Sequence, residues 1–421
     1  MGRSKGKVIF MRVKKWLASS LALLMMISVV GCGDSSSSSK SDSSADSAAS
    51  GNTSYYTPVV PEAAMPEKDY ATTTDGSAKV TVDGTKFTVG GKELWINGVN
   101  SPWDKWNDFG GGFNFEFWQD HFAKLHESGV NAARIWIVCN GDVGMLISAD
   151  GTFDGATTAH WEDLDNLFYL AEQYQIYIMA TVQSFDNFKD QNQNYEAWRA
   201  LVQDSDKTDR FVDNYIVPLV ERYGKSDYFW SVDLCNEPDW VVENAECGTL
   251  DWKYLQQYYA KAASAIHANS DVLVTVGMGM IKYNSDNQQG NVISDSALQN
   301  AITGDKYDKS LAYVDFYSTH WYTWMQKMWG YPFEMTPVDF GLDGTKPSVI
   351  GECPAVSEGT SFDITSAYES AYNSGWNGVM AWKTSGSDDG CGLWLDIQPA
   401  IEKMAGICPD KIFPNGKKDV M

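Results

Sequence analysis

The chain has 421 residues, 43% of them hydrophobic, and a formal net charge of −23. That length supports a large core and permits either several domains or one long α/β barrel. The acidic balance argues against a nucleic-acid partner, which needs a basic face for phosphate, and against docking on anionic lipid head groups.

Arg12, Lys14 and Lys15 precede an apolar run, Trp16 to Val30, of about 15 residues, too short for a comfortable membrane span. The run ends in Val29–Val30–Gly31–Cys32. That ending resembles the lipobox of bacterial lipoproteins, in which the cysteine becomes the lipidated first residue; a secretory signal with an incidental cysteine is the alternative. Residues 33–71 are dominated by Ser, Asp, Ala and Gly, then Pro, and cannot bury enough surface to order themselves. The expected organisation is a signal peptide and lipobox over 1–32, a disordered tether over 33–71 and one folded domain over 72–421. Such a chain belongs in the cell envelope, lipid-anchored or secreted, and touches a membrane through its anchor alone.

The folded part opens with a hairpin, Ala78–Val82 and Phe87–Val89, joined by Asp83–Gly84. Eight short apolar runs follow as strands: Leu94–Val99, Ala132–Val138, Ile176–Val182, Phe229–Leu234, Val272–Val276, Val314–Ser318, Ser348–Ile350 and Gly378–Ala381. Amphipathic stretches between them predict helices over Phe115–Ser128, Trp161–Gln173, Asp206–Tyr223, Trp252–Ala268, Asp295–Ile302, Asp363–Ser374 and Gln398–Ala405. Residues 325–344, rich in Gly, Pro and aromatics, read as a long loop. The alternation predicts a (β/α)8 TIM barrel with a short N-terminal hairpin. A doubly wound sheet would show a glycine-rich first turn, where this chain has Asn100–Ser101–Pro102–Trp103. Seven cysteines are present, and the six beyond Cys32 permit disulfides; there is no CxxC and no zinc-ligand spacing.

In such a barrel the C-terminal strand ends converge on one site. Read in order they supply Arg134 and Trp136, then Asn236 and Glu237, then His320 and Tyr322, then Glu352 and finally Trp382. Glu237 and Glu352 are 115 positions apart (352 − 237), about three βα units, so they face each other across the mouth. Paired carboxyls in that arrangement suit glycoside hydrolysis, in which one protonates the leaving oxygen and the other attacks or stabilises from the opposite face of the sugar. Pro238 predicts an extended Glu237, since the residue before proline avoids the helical region. Taken singly each group has a plain structural explanation: Arg134 as an ion-pair partner, His320 as a core histidine, Trp382 as packing. His121, His126 and His267 fall on predicted helices and His160 just before one, which leaves His320 as the histidine at a strand end. The 17 Trp and 21 Tyr include loop residues Trp103, Trp106, Trp240, Trp321 and Trp324, whose flat faces suit stacking on pyranose rings.

The combination resembles the clan A retaining glycoside hydrolases, specifically glycoside hydrolase family five, which contains cellulases and β-mannanases. The resemblance spans roughly Val80 to Ala405, and its most specific element is Asn236–Glu237–Pro238 followed by Gly351–Glu352. It implies that Glu237 is the acid/base and Glu352 the nucleophile. It implies further that Arg134 lies near the nucleophile, that Asn236 bonds the sugar 2-hydroxyl, that His320 and Tyr322 are the strand-six pair, with His320 positioning the acid/base or the substrate and Tyr322 near Glu352, and that Trp382 floors the −1 subsite. Cellulase-type members often carry a histidine at the end of strand three, where this chain reads Gln183–Ser184–Phe185–Asp186–Asn187. Mannanase-type members often lack it and carry Arg-x-Trp on strand two, as Arg134–Ile135–Trp136 does. The implied function is therefore an endo-β-1,4-mannanase acting as a monomer on mannan or glucomannan, with an endo-glucanase acting on β-glucan, or a non-catalytic carbohydrate-binding lipoprotein, as alternatives. No metal or organic cofactor is required. Double displacement asks that Arg134 and Tyr322 keep Glu352 charged while a drier setting and nearby negative charge keep Glu237 protonated.

Overall fold

Lys86–Val89 (β2) lies antiparallel between Val80–Asp83 (β1) and Lys92–Leu94 (β3), so the expected hairpin gains a third strand. In this computed structural model, residues 70–357 and 359–420 are described. Cys32 and the tether up to residue 69 lie outside them. Phe87 explains why the small sheet is held to the domain. Its buried ring packs edge-on against Trp230 (5.4 Å) and Phe316 (5.1 Å), which themselves stack. Both partners sit at the starts of barrel strands, so the small sheet plugs the base of the barrel.

Eight further strands close into a barrel. Its strands are Ile96–Asn100 (β4), Ala132–Trp136 (β5), Tyr177–Thr181 (β8), Phe229–Asn236 (β9), Leu273–Met278 (β10), Tyr317–His320 (β13), Ser348–Pro354 (β14) and Gly378–Trp382 (β15). Two small antiparallel pairs, Met145–Ile147 (β6) with Phe153–Ala156 (β7) and Asn284–Ser285 (β11) with Gly290–Asn291 (β12), decorate the loops. Every pairing within the barrel is parallel, and every residue of its eight strands is buried, as expected for strands covered by helices outside and by side chains inside.

The helices follow from local signals. Phe115–Ser128 starts on Asn114, whose side chain accepts from the Phe117 N–H, and buries Trp118, Phe122 and Leu125 along one stripe. It stops at Gly129, whose φ of 103° suits a residue without Cβ. The stretch expected as one helix over 206–223 is Ser205–Phe211 and Val217–Tyr223 joined through a π-helical turn, Val212–Ile216. The widening comes just before Pro218, which has no N–H to continue a regular ladder. Sequence reading missed the helix Tyr195–Gln203 and the short Pro238–Glu243. It also began strand six early: Asp315 still bonds Val274, but the strand proper runs from Tyr317. Between β13 and β14 there is no long helix, only one-turn pieces such as Gln326–Trp329 and Pro337–Phe340.

The ladders of β9 with β10, β13 with β14 and β14 with β15 shift register close to their C-terminal ends, at Thr275/Gly277, Thr319/His320 and Ile350/Cys353. Such irregularities re-aim the side chains around them. All six cysteines of the described residues are free, so none of the disulfides the sequence permits has formed. No described helix is long and apolar enough to cross a membrane.

Candidate active site

The barrel mouth is organised around Arg134, which is fully buried in the middle of β5. Its Nε and Nη2 donate to Asp233 Oδ2 (2.9 and 2.8 Å), its Nη2 to Asn236 Oδ1 (2.7 Å), and its Nη1 to Asn100 Oδ1 and Glu352 Oε2 (both 3.0 Å). Burial works against the charge, but Asp233, then Glu352, outweigh it and raise the guanidinium's affinity for its proton. Asp233 accepts further bonds from Thr181 Oγ1 (3.0 Å) and the Gly277 N–H (2.8 Å). A Cβ on Gly277 would stand 3.0 Å from both Arg134 Nη2 and His320 Nε2, so glycine is what lets the strand approach this network.

One oxygen each of Glu237 and Glu352 and a ring nitrogen of His320 lie within 4.8 Å of one another. Glu352 accepts from Arg134 on Oε2 and from the Tyr322 phenol on Oε1 (2.5 Å). Glu237 has different neighbours: Trp240 Nε1 donates to Oε2 (2.9 Å), and His320 Nδ1 lies 3.0 Å from Oε1. His320 Nδ1 is also 3.6 Å from Glu352 Oε2, so the imidazole stands between the two carboxyls. Burial drives the His320 pKa down to about 4, with Glu352 opposing and Arg134 assisting, which makes the ring neutral at pH 7.

Burial raises the Glu237 pKa to about 7, with the Trp240 bond and Arg134 pulling the other way. Burial raises Glu352 as well, assisted by the charge of Glu237 and opposed by His320, Arg134 and Tyr322. The expected contrast is thus not one raised and one lowered group. Both are raised, because the mouth is dry for both, and the charge of Glu237 adds to the effect on Glu352. The contact geometry distinguishes them: Glu352 accepts from the guanidinium and the phenol, both of which favour its charged form, and Glu237 bonds neither.

Glu237 is not extended. Its φ and ψ of 48° and 55° place it in the left-handed region, where its N–H bonds the Gly277 carbonyl (2.7 Å) and Pro238 begins a helix. The expectation from Pro238 failed because tertiary contacts hold this residue in a conformation its own preference disfavours, turning the carboxyl toward His320. Asp239, next in the turn, is buried and accepts from the Gly279 and Met280 N–H groups (2.7 and 3.1 Å). Its pKa is pushed up to about 7 by burial.

Beside the carboxyls, Trp382 and Trp136 pack with Trp103, ring centroids 5.2–5.8 Å apart, and Trp106 extends the wall to solvent. Asp389 Oδ2 accepts from both Trp382 Nε1 and Lys383 Nζ (each 2.8 Å), fixing the indole plane. The eight strand-end residues singled out in the sequence all reach this mouth. Of the loop aromatics, Trp324 is half exposed, whereas Trp321 is core: it is 1% exposed, donates to the Gly330 carbonyl and packs on Tyr331, Phe333 and Phe362. His121, His126, His160 and His267 are taken up by structural bonds. Sequence reading missed Asp233, Asn100, Asp389 and the bonding role of Trp240. A signal existed for Asp233, since a carboxylate inside the apolar run Phe229–Leu234 needs a buried partner.

No model of a known protein family matches the chain. It is 27% identical over 340 residues to the mannan endo-1,4-β-mannosidase of Cryptopygus antarcticus, covering 73% of this chain and 84% of that protein. The enzyme of the same name from Mytilus edulis is 24% identical over 335 residues, 72% of this chain and 88% of that one. Among solved structures, the endo-1,4-β-mannanase of Eisenia fetida superposes with a TM-score of 0.68 at 21% identity, covering 78% of this chain and 95% of that one. At that identity the superposition speaks for the fold, and the sequence matches carry the likeness further. Along most of its length this chain is similar to mannan endo-1,4-β-mannosidases.

Proposed function

We propose that the protein is an endo-β-1,4-mannanase that cleaves with retention of configuration. The observation that carries the reading is the approach of the Glu237 and Glu352 oxygens to within 4.8 Å. Retaining enzymes hold their carboxyls about 5–5.5 Å apart, whereas inverting ones leave about 6.5–9.5 Å for a water. A Glu352 oxygen attacks C1 of the −1 mannose. The bond from C1 to the leaving oxygen breaks as Glu237 gives that oxygen its proton. Glu237, now ionised, takes a proton from water, whose oxygen attacks C1 and frees Glu352. Arg134 and Tyr322 hold the nucleophile's charge and aim it. Asn236, kept in place by Arg134, faces the sugar 2-hydroxyl, Trp382 floors the −1 subsite with Trp136 beside it, and His320 positions Glu237. The likeness to mannan-cleaving enzymes favours mannan or glucomannan over cellulose.

Proton NMR of fresh manno-oligosaccharide hydrolysis tests the reading: the β-anomer is expected first, and early α-anomer would sink retention. Reducing-sugar release compared on mannan, glucomannan, carboxymethyl cellulose and xylan tests the substrate. Glu237→Gln and Glu352→Gln each lower turnover on mannan by about two orders of magnitude or more, with folding intact.

The same proposal covers the N-terminal segment. Residues 1–32 act as a signal with Cys32 lipidated, 33–71 as a tether, and 72–421 as the catalytic domain at the cell envelope. Labelled fatty acid incorporated by the full chain and lost on Cys32→Ala supports this; labelling that survives the substitution overturns it.

A further inference from the structure

We infer that Trp240 is a positioning residue that selects Oε1 of Glu237 as the oxygen that carries and delivers the catalytic proton. The inference rests on Glu237 being the acid/base. Trp240 belongs to the short helix that Pro238 opens, and its indole is partly exposed at the mouth. An indole N–H donates and never accepts. Its bond therefore needs a lone pair on Glu237 Oε2, at 2.9 Å. In a neutral carboxyl the carbonyl oxygen is the better acceptor, so the bond keeps Oε2 as the carbonyl and leaves the proton to Oε1. Oε1 is the oxygen beside His320 Nδ1, which also neighbours Glu352 Oε2, so the proton sits on the edge of Glu237 that faces the other carboxyl across the mouth.

A carboxyl projecting from an irregular turn has freedom to rotate, and rotation would exchange its two oxygens. Trp240 on one side and His320 on the other remove that freedom. The indole has a second effect: as a donor to the carboxylate it favours the charged form, opposing the burial that raises the group. Without it, Glu237 becomes a weaker acid and a less well-aimed one.

Trp240→Phe removes the donor and keeps an aromatic ring. The readout is kcat/KM, which reports steps through formation of the glycosyl-enzyme, on two aryl β-mannobiosides. On the phenyl glycoside, which needs its oxygen protonated, kcat/KM is expected to fall by about tenfold, and the basic limb of its pH profile to move up by about 0.5–1 pH unit. On the 2,4-dinitrophenyl glycoside, whose leaving group departs without a proton, kcat/KM should fall less than about twofold. Equal losses on both glycosides, or an unmoved basic limb, overturn the inference, because a lost sugar contact or a loosened fold would affect both substrates alike. Glu237→Gln is the control. If its loss is also independent of the leaving group, the acid/base reading fails first and takes this inference with it; if only Trp240→Phe is insensitive, the acid/base reading stands and this inference falls.

Discussion

Arg134 and Asp233 meet at 2.8 Å with neither side chain exposed to solvent. That pair is the keel of the barrel mouth, since the same guanidinium then reaches Asn236 and Glu352. Removing one partner of such a pair strands a charge in a dry site. Asp233→Ala is expected to destabilise the domain by about 3–5 kcal/mol in urea unfolding. Asp233→Asn, which keeps an acceptor, should lose clearly less; equal losses would mean the charge pairing is unimportant.

Tyr322 donates to Glu352 Oε1 at 2.5 Å and favours its ionised form. Tyr322→Phe removes that support, so the nucleophile's proton affinity rises. The acid limb of kcat/KM should move to higher pH and kcat drop about 10- to 100-fold. An acid limb that stays in place would separate the phenol from the nucleophile's ionisation.

Glu237 has a folded pKa raised to about 7 by burial, above its value near 4.5 in an unfolded chain. A carboxyl raised in this way contributes stability that is complete below about pH 4.5 and is lost as pH climbs through 7. Glu237→Gln keeps the shape and cannot ionise. Its melting temperature should match the parent at pH 4 and exceed it by several degrees at pH 8. A gap that does not change with pH contradicts the assigned burial.

Asp389 pins Trp382 and Lys383 through one oxygen, although its own side chain is 40% exposed. Asp389→Ala leaves Lys383 buried without its partner and frees the indole. On mannan KM should rise by roughly tenfold, about 1.4 kcal/mol of lost binding, with kcat changed far less. A fall in kcat at constant KM would point instead to the carboxyls.

At the opposite end of the barrel, Glu172 gathers Tyr70 Oη (2.5 Å), Thr72 Oγ1, and the N–H and Oγ1 of Thr73 (both 2.8 Å). Glu172→Ala breaks this latch. Limited proteolysis should then cut within residues 70–77 much faster, stability should fall by about 1–3 kcal/mol, and turnover should not change. Unchanged proteolysis would show that other contacts hold the segment, the Tyr70 ring against Tyr223 among them.

Much of this molecule is written locally. Apolar runs of strand length alternating with capped amphipathic helices determine a parallel barrel, because each run needs cover on both faces and each helix supplies it. Once the barrel is granted, the strand ends of Arg134, Asn236, Glu237, His320, Tyr322, Glu352 and Trp382 determine which side chains share the mouth. What only the tertiary structure decided is how they meet. The left-handed turn at Glu237 contradicts what Pro238 prescribes, and it exists because the Gly277 carbonyl and the short following helix hold it. Asp233 sat unread in its apolar run, since its reason lies across the barrel in Arg134, 99 positions earlier in the chain. Trp321 and Trp324 stand three positions apart in one loop (324 − 321), yet one is core and the other faces solvent, because burial is set by residues far along the chain. Periodicity and propensity act between neighbours in sequence, whereas proton affinity and aim are set by whatever the fold brings to within about 4–6 Å.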